Sequence, residues 1–92
     1  MDLYKNKLTQ MLGEGDKVKG FSHDLIFKAR RKIEMIKASK SLEDLKAPPS
    51  NNLEKLKGNR KNQWSIRVNN QYRICFEWNE NRAENIEFID YH

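Results

Sequence analysis

Two alternating runs in the C-terminal half constrain this chain more than any other feature. Trp64, Ile66 and Val68 alternate with Ser65 and Arg67; Tyr72, Ile74, Phe76 and Trp78 alternate with Arg73, Cys75 and Glu77. A period of two belongs to half-buried antiparallel strands, and the Asn-rich stretch between the runs is a turn. The loop length then decides what the hairpin can be. A two-residue loop, Asn69-Asn70, sets Val68 against Gln71 and Ile66 against Arg73, so each face mixes apolar and charged side chains. A three-residue loop, Asn69-Asn70-Gln71, sets Val68 against Tyr72, Ile66 against Ile74 and Trp64 against Phe76. One register step moves every side chain across the sheet, and only the second choice segregates the faces. Arg67 then faces Arg73, beside Ser65 and Cys75. The expectation is one apolar face for helices to cover and an opposite face that is wet, basic and open.

Upstream the period becomes helical. Leu25, Ala29, Ile33 and Ile36 recur on one side with Ile26 beside them, while Lys28, Arg31, Lys32 and Glu34 fall largely on the other. This predicts an amphipathic helix to about Ala38. Ser22 suits its N-cap, and Asp24 sits in the first turn where the helix dipole favours negative charge. Residues 1–5 read as a short strand, and 7–12 as a short helix ended by Gly13 and Gly15. Residues 41–45 read as a helical turn, stopped by Pro48-Pro49, which begins an extended passage. Residues 53–57 form a short strand and 57–62 a donor-rich turn. Asn79-Glu80-Asn81 turns into a last strand from about 83 to 91. Ninety-two residues make one domain, 1–92. The fold class is α+β, mainly antiparallel sheet with N-terminal helices packed on one face.

Charge narrows the function. The formal net charge is +5, unevenly spread. Between residues 55 and 76 lie Lys55, Lys57, Arg60, Lys61, Arg67 and Arg73, with no acid among them. Residues 77–92 hold Glu77, Glu80, Glu84, Glu87 and Asp90 against Arg82 alone. A basic block interleaved with Trp64 and Tyr72 suits a polyanion, because cations meet phosphates and rings stack on bases. The competing reading pairs some of these cations with the acidic final strand. Cys75 is the single cysteine, which rules out an intramolecular disulfide and a thiolate zinc cluster. No apolar run approaches the roughly 20 residues of a membrane helix, and Met1-Asp2-Leu3-Tyr4-Lys5 lacks the apolar stretch of a signal peptide. These features point to the cytoplasm.

The stretch Leu53-Glu54-Lys55-Leu56-Lys57-Gly58-Asn59-Arg60, then Trp64-Ser65-Ile66-Arg67-Val68, then Tyr72-Arg73-Ile74-Cys75-Phe76, ending in Asp90-Tyr91-His92, resembles the HigB toxins of the RelE/ParE superfamily. The resemblance covers roughly residues 21–92. It implies a compact sheet with helices on one side and cleavage of mRNA in the ribosomal A site without a metal or other cofactor. It also implies neutralisation by a HigA-type antitoxin carrying a helix-turn-helix. Many HigB toxins read Leu-His-Pro-Leu-Lys-Gly where this chain has Glu54 in the histidine's place, and that histidine is a proposed catalytic residue of the family.

Cleavage by the RNA's own 2′-hydroxyl needs a proton taken, a phosphorane stabilised and a proton given to the leaving 5′-oxygen. Arg73 and Lys57 are the candidates for the phosphorane, with Lys55, Arg60, Lys61 and Arg67 on flanking phosphates. His92 can hold or release a proton near neutral pH. Tyr91 can stack on a base or donate a proton, Asp90 can orient His92 or Arg73, and Glu54 can serve as base. The bland alternatives are an Arg73 that only pairs with Glu77 or Glu87, a frayed Tyr91-His92 end, and a Glu54 that is a plain surface carboxylate. Trp64, Phe76 and Trp78 read as core. Alternation from Ile86 and Phe88 sends Asp90 toward the core, so a bulge or twist is expected to redirect one of the last three residues toward the site. Two further functions stay open: a ParE-like poison of DNA gyrase, and a non-catalytic RNA- or partner-binding module.

Overall fold

The computed structural model describes residues 2–60 and 62–91. Asn6 caps the first helix, α1 (Lys7–Glu14), by accepting from the Thr9 amide at 2.9 Å, and Gly15 ends it in the left-handed region at φ +81°. Gly13 does not end the helix, as the sequence suggested. It lies inside the last turn, where an added Cβ would run into the Tyr4 ring. Ser22 caps α2 (His23–Ala38), its hydroxyl accepting from the Leu25 amide at 3.1 Å. Such a cap contributes roughly 1 kcal/mol. Ala29, Ile33 and Ile36 of α2 are fully buried, which is the stripe the periodicity predicted.

Three short 3-10 turns follow, Leu42–Lys46, Pro49–Asn51 and Gly58–Arg60. Pro48-Pro49 therefore begins a turn and not an extended passage. Proline's fixed φ suits the first position of a helical turn as well as a strand entry. The expected strand over 53–57 shrinks to β1 (Glu54–Lys55). It pairs with β2 (Gln63–Arg67), which pairs with β3 (Tyr72–Asn79), which pairs with β4 (Arg82–Asp90), all antiparallel and in chain order. Residues near the start add a parallel bridge, Tyr4 against Ile86, on the outer edge of β4.

The β2–β3 register is the three-residue-loop register: Trp64 faces Phe76, Ile66 faces Ile74 and Arg67 faces Arg73. Asn69 holds the loop by accepting from the amides of Gln71 and Tyr72, both at 2.8 Å. Both helices lie on the Ile66, Ile74, Phe76 face. There Leu12, Ala29, Ile33, Ile36, Leu45, Ile86 and Phe88 complete the core. The buried Thr9 hydroxyl takes the amide of Phe88 at 2.9 Å, tying α1 to the edge strand.

A bulge interrupts β3–β4. Cys75 faces Glu87 and Glu77 faces Glu84, so β4 carries one residue more than β3 across that interval. Asn85 takes the strain, at φ +51°. The bulge lies upstream of the C-terminus and does not redirect Asp90.

Candidate functional site

The face away from the helices is not open throughout. Ser65, Cys75 and Arg73 are buried there, and so is Leu56, which lies outside the main core cluster. Arg73 projects from the middle of β3, opposite Arg67 and Ile89. Its side chain is only 7% exposed. A buried guanidinium must be paired and hydrogen-bonded, and this one is. Nε donates to the Ser65 hydroxyl at 2.8 Å. Nη2 donates to the Asn52 carbonyl at 2.6 Å and to the Ser65 carbonyl at 3.4 Å, and lies 3.1 Å from a Glu54 carboxylate oxygen. Nη1 has no hydrogen-bond partner among the described residues. The Tyr91 ring stands 5.4 Å from the guanidinium carbon.

Each contact has a local cause. Ser65 shares the Arg73 face because it alternates with Trp64 and Ile66. Glu54 shares it because β1 pairs Glu54 with Ser65. Asn52 turns its carbonyl inward from a left-handed backbone, φ +46°, which asparagine tolerates better than most residues. Tyr91 arrives by plain alternation from Ile89, its amide donating to the Gln71 carbonyl at 2.7 Å. Ser65 and the Asn52 carbonyl were not singled out in the sequence. The Ser65 alternation was visible there, whereas the Asn52 backbone was not.

The remaining predicted residues separate. Arg60 lies beside the cluster, bonded to Glu87 at 2.9 Å and to Gln63 at 3.2 Å. Its proton is held more tightly than usual, chiefly by Glu87 and against the cost of burial, with Cys75 and Tyr91 also acting on it. The expectation that acidic final-strand residues pair with the basic block is met at this point. Arg67 is on the right face, but its guanidinium bonds the Asn70 side chain. Lys55 is on the other face: its register partner is Trp64, and its ammonium lies 5.8 Å from that ring. Asp90 also faces the helix side, opposite Tyr72, where Gln71 Nε2 donates to it at 3.1 Å. Lys57 is exposed; its carbonyl accepts from the Arg60 amide at 3.3 Å, and its ammonium has no polar partner among the described residues. His92 and Lys61 lie outside the described residues. Cys75, fully buried, is pushed up to about 11 by burial, which keeps it a neutral thiol at neutral pH.

The fold and this cluster define a class. Helices on one face of a four-stranded antiparallel sheet are the architecture of a small RelE-like domain. The family model described as the RelE-like toxin of the type II toxin-antitoxin system HigB matches residues 2–92, and the chain belongs to this HigB-like toxin family. It is 39% identical over 90 residues to Toxin HigB-1 of Vibrio cholerae serotype O1, a match covering 97% of this chain and 94% of that protein. It is also 42% identical over 62 residues to an uncharacterized protein of Haemophilus influenzae, covering 67% of this chain and 60% of that protein. As a type II toxin its partner is an antitoxin. No helix among the described residues is long and apolar enough to cross a membrane.

Proposed function

We propose that this toxin is a ribosome-dependent endoribonuclease that cleaves mRNA in the A site through the RNA's own 2′-hydroxyl. The observation that supports it best is the Arg73 guanidinium, braced through Nε and Nη2, with Nη1 free of hydrogen bonds to the described residues. A cation held in place before the charge develops stabilises a phosphorane more than a mobile one does. Glu54, half exposed beside it, takes the 2′-hydroxyl proton. The resulting oxyanion attacks the adjacent phosphorus, Arg73 and Lys57 bear the charge, and the 5′-oxygen leaves with a proton from Tyr91 or His92. The products are a 2′,3′-cyclic phosphate and a 5′-hydroxyl.

Glu54 thus stands in for the histidine of many HigB toxins, its carboxylate oriented by the Arg73 guanidinium 3.1 Å away. Lys61 and Arg67 guide neighbouring phosphates, whereas Arg60 is held by Glu87. Lys55, held over Trp64, and Asp90, held by Gln71, fall outside the proton transfers. The antitoxin is a HigA-type helix-turn-helix protein encoded beside the toxin.

Mapping mRNA 5′ ends after induced expression, and in a translation extract, tests this reading. Cuts confined to ribosome-bound message support it. Gyrase-linked DNA breaks in their place would point to a gyrase poison, and ribosome binding with neither would point to a non-catalytic module. Every proton and charge in this scheme is carried by side chains. Sulfur substitution at the scissile non-bridging oxygens is therefore expected to slow cleavage without rescue by a thiophilic metal ion. Rescue by such an ion would show a metal at the phosphate.

A further inference from the structure

Helix α2 carries a second side-chain stripe besides the one that fills the core. His23, Ile26, Phe27 and Arg30 follow one another at helical spacing on its outer side. With Lys17 and Val18 of the α1–α2 loop they line a groove of about 290 Å³. Phe27 is 60% exposed, the most exposed large apolar side chain among the described residues. The guanidinium of Arg31 lies 5.7 Å from its ring. Arg30 is fixed as a wall: Nε donates to the Leu12 carbonyl at 3.0 Å, and a second nitrogen to the Asp16 carbonyl. Phe21 pins the loop edge-on against Tyr72 and Phe88, at 6.1 and 5.7 Å between centroids. The groove is therefore built in advance, and little ordering cost remains for a ligand to meet.

We infer that this groove is a docking site for the antitoxin, taking an apolar anchor flanked by Asp or Glu. The inference rests on the chain's membership in a type II toxin–antitoxin family. It does not depend on the cleavage chemistry. Charge complementarity selects the occupant. Every charged residue lining the groove is basic, Lys17 and Arg30, and Arg31 stands at the rim. A second copy of a chain with net charge +5 is repelled there. The apolar floor of Val18, Ile26 and Phe27 gives a nucleic-acid backbone nothing to grip. An aromatic ring next to an arginine on a rigid helix is the composition found where few residues carry most of the binding energy. The groove lies on the helix side of the sheet, whereas Arg73 and Glu54 project from the other side, so the two surfaces can be altered separately.

The test uses Phe27→Glu and the charge reversal Arg31→Glu in the full chain, with the protein product of the adjacent operon gene as probe. Expressed alone, both variants should arrest growth like the wild type, since neither position is in the core. Co-expressed with the antitoxin, they should escape neutralisation. Titration calorimetry should show at least tenfold weaker binding for Phe27→Glu, and Phe27→Leu should recover most of the affinity. Toxic variants that the antitoxin still neutralises with unchanged affinity overturn the proposal. So does a shift from dimer to monomer, or a loss of ribosome co-sedimentation, with antitoxin binding intact. Should Phe27→Glu be non-toxic, its far-ultraviolet circular dichroism and calorimetry decide: a folded variant binding at wild-type affinity overturns the proposal. A wild-type chain that is itself harmless when expressed alone would count against the toxin activity, separately from the groove.

Discussion

Arg73 spends its Nε and Nη2 on the protein, and among the described residues its Nη1 has no hydrogen-bond partner. The alternation in the sequence suggests a free guanidinium gripping two phosphate oxygens, and therefore an Arg73→Ala variant that folds normally. The brace changes that expectation. Arg73→Ala would leave the buried Ser65 hydroxyl without its partner, at a cost of about 1–3 kcal/mol, and would release the Asn52 carbonyl. Urea denaturation should show this loss together with the loss of cleavage. Arg73→Lys should fail as well, because one ammonium cannot reproduce a planar fork that holds Ser65 and Asn52 at once. Glu54→Gln separates chemistry from brace: the amide keeps the shape and loses the base. Single-turnover cleavage on programmed ribosomes should fall by about 10²–10⁴-fold with ribosome affinity retained. Cleavage at the wild-type rate would remove Glu54 as the base. Cys75 gives a third readout. Its thiol is pushed up to about 11 by burial, so the folded chain keeps a proton that the unfolded chain has already released. Stability should therefore fall as pH rises toward that value. At neutral pH, alkylation of native protein should be far slower than alkylation in denaturant.

Element α1 and strand β4 are joined by contacts that local pattern does not show. Gly13 belongs to α1 because Tyr4, arriving from the parallel bridge on β4, lays its ring across the helix backbone there. Gly13→Ala is helix-favouring by about 1 kcal/mol in isolation. Here it should destabilise the protein, because the methyl displaces Tyr4. Thermal melts of Gly13→Ala with and without Tyr4→Ala check this, and the second change should recover part of the loss. The β4 bulge depends on Asn85 in left-handed backbone. Asn85→Gly should be tolerated, whereas Asn85→Val should cost more than about 1 kcal/mol, since a β-branched residue resists positive φ.

Across the whole molecule the basic block is less free than its sequence suggests. Six unpaired cations on single-stranded RNA would give a salt slope of about −4. Arg60 and Arg73 are already paired with Glu87 and Glu54, and Lys55 lies on the opposite face. The logarithm of ribosome affinity against the logarithm of salt should therefore fall with a slope nearer −2. The hairpin register, the capped amphipathic α2, the two faces of the sheet and the HigB-like family membership were all legible in the sequence, because period, cap and turn chemistry act between near neighbours. The partners of Arg73 were not. Glu54, Asn52 and Ser65 are brought to it by β1 pairing with β2 and by a left-handed asparagine, and Tyr91 by the pairing of β4. These are contacts between residues far apart in the chain. Sequence period assigns a side chain to a face, but only strand pairing determines which carboxylate meets which guanidinium. The desolvation cost of a buried charge makes that pairing obligatory once the sheet has closed.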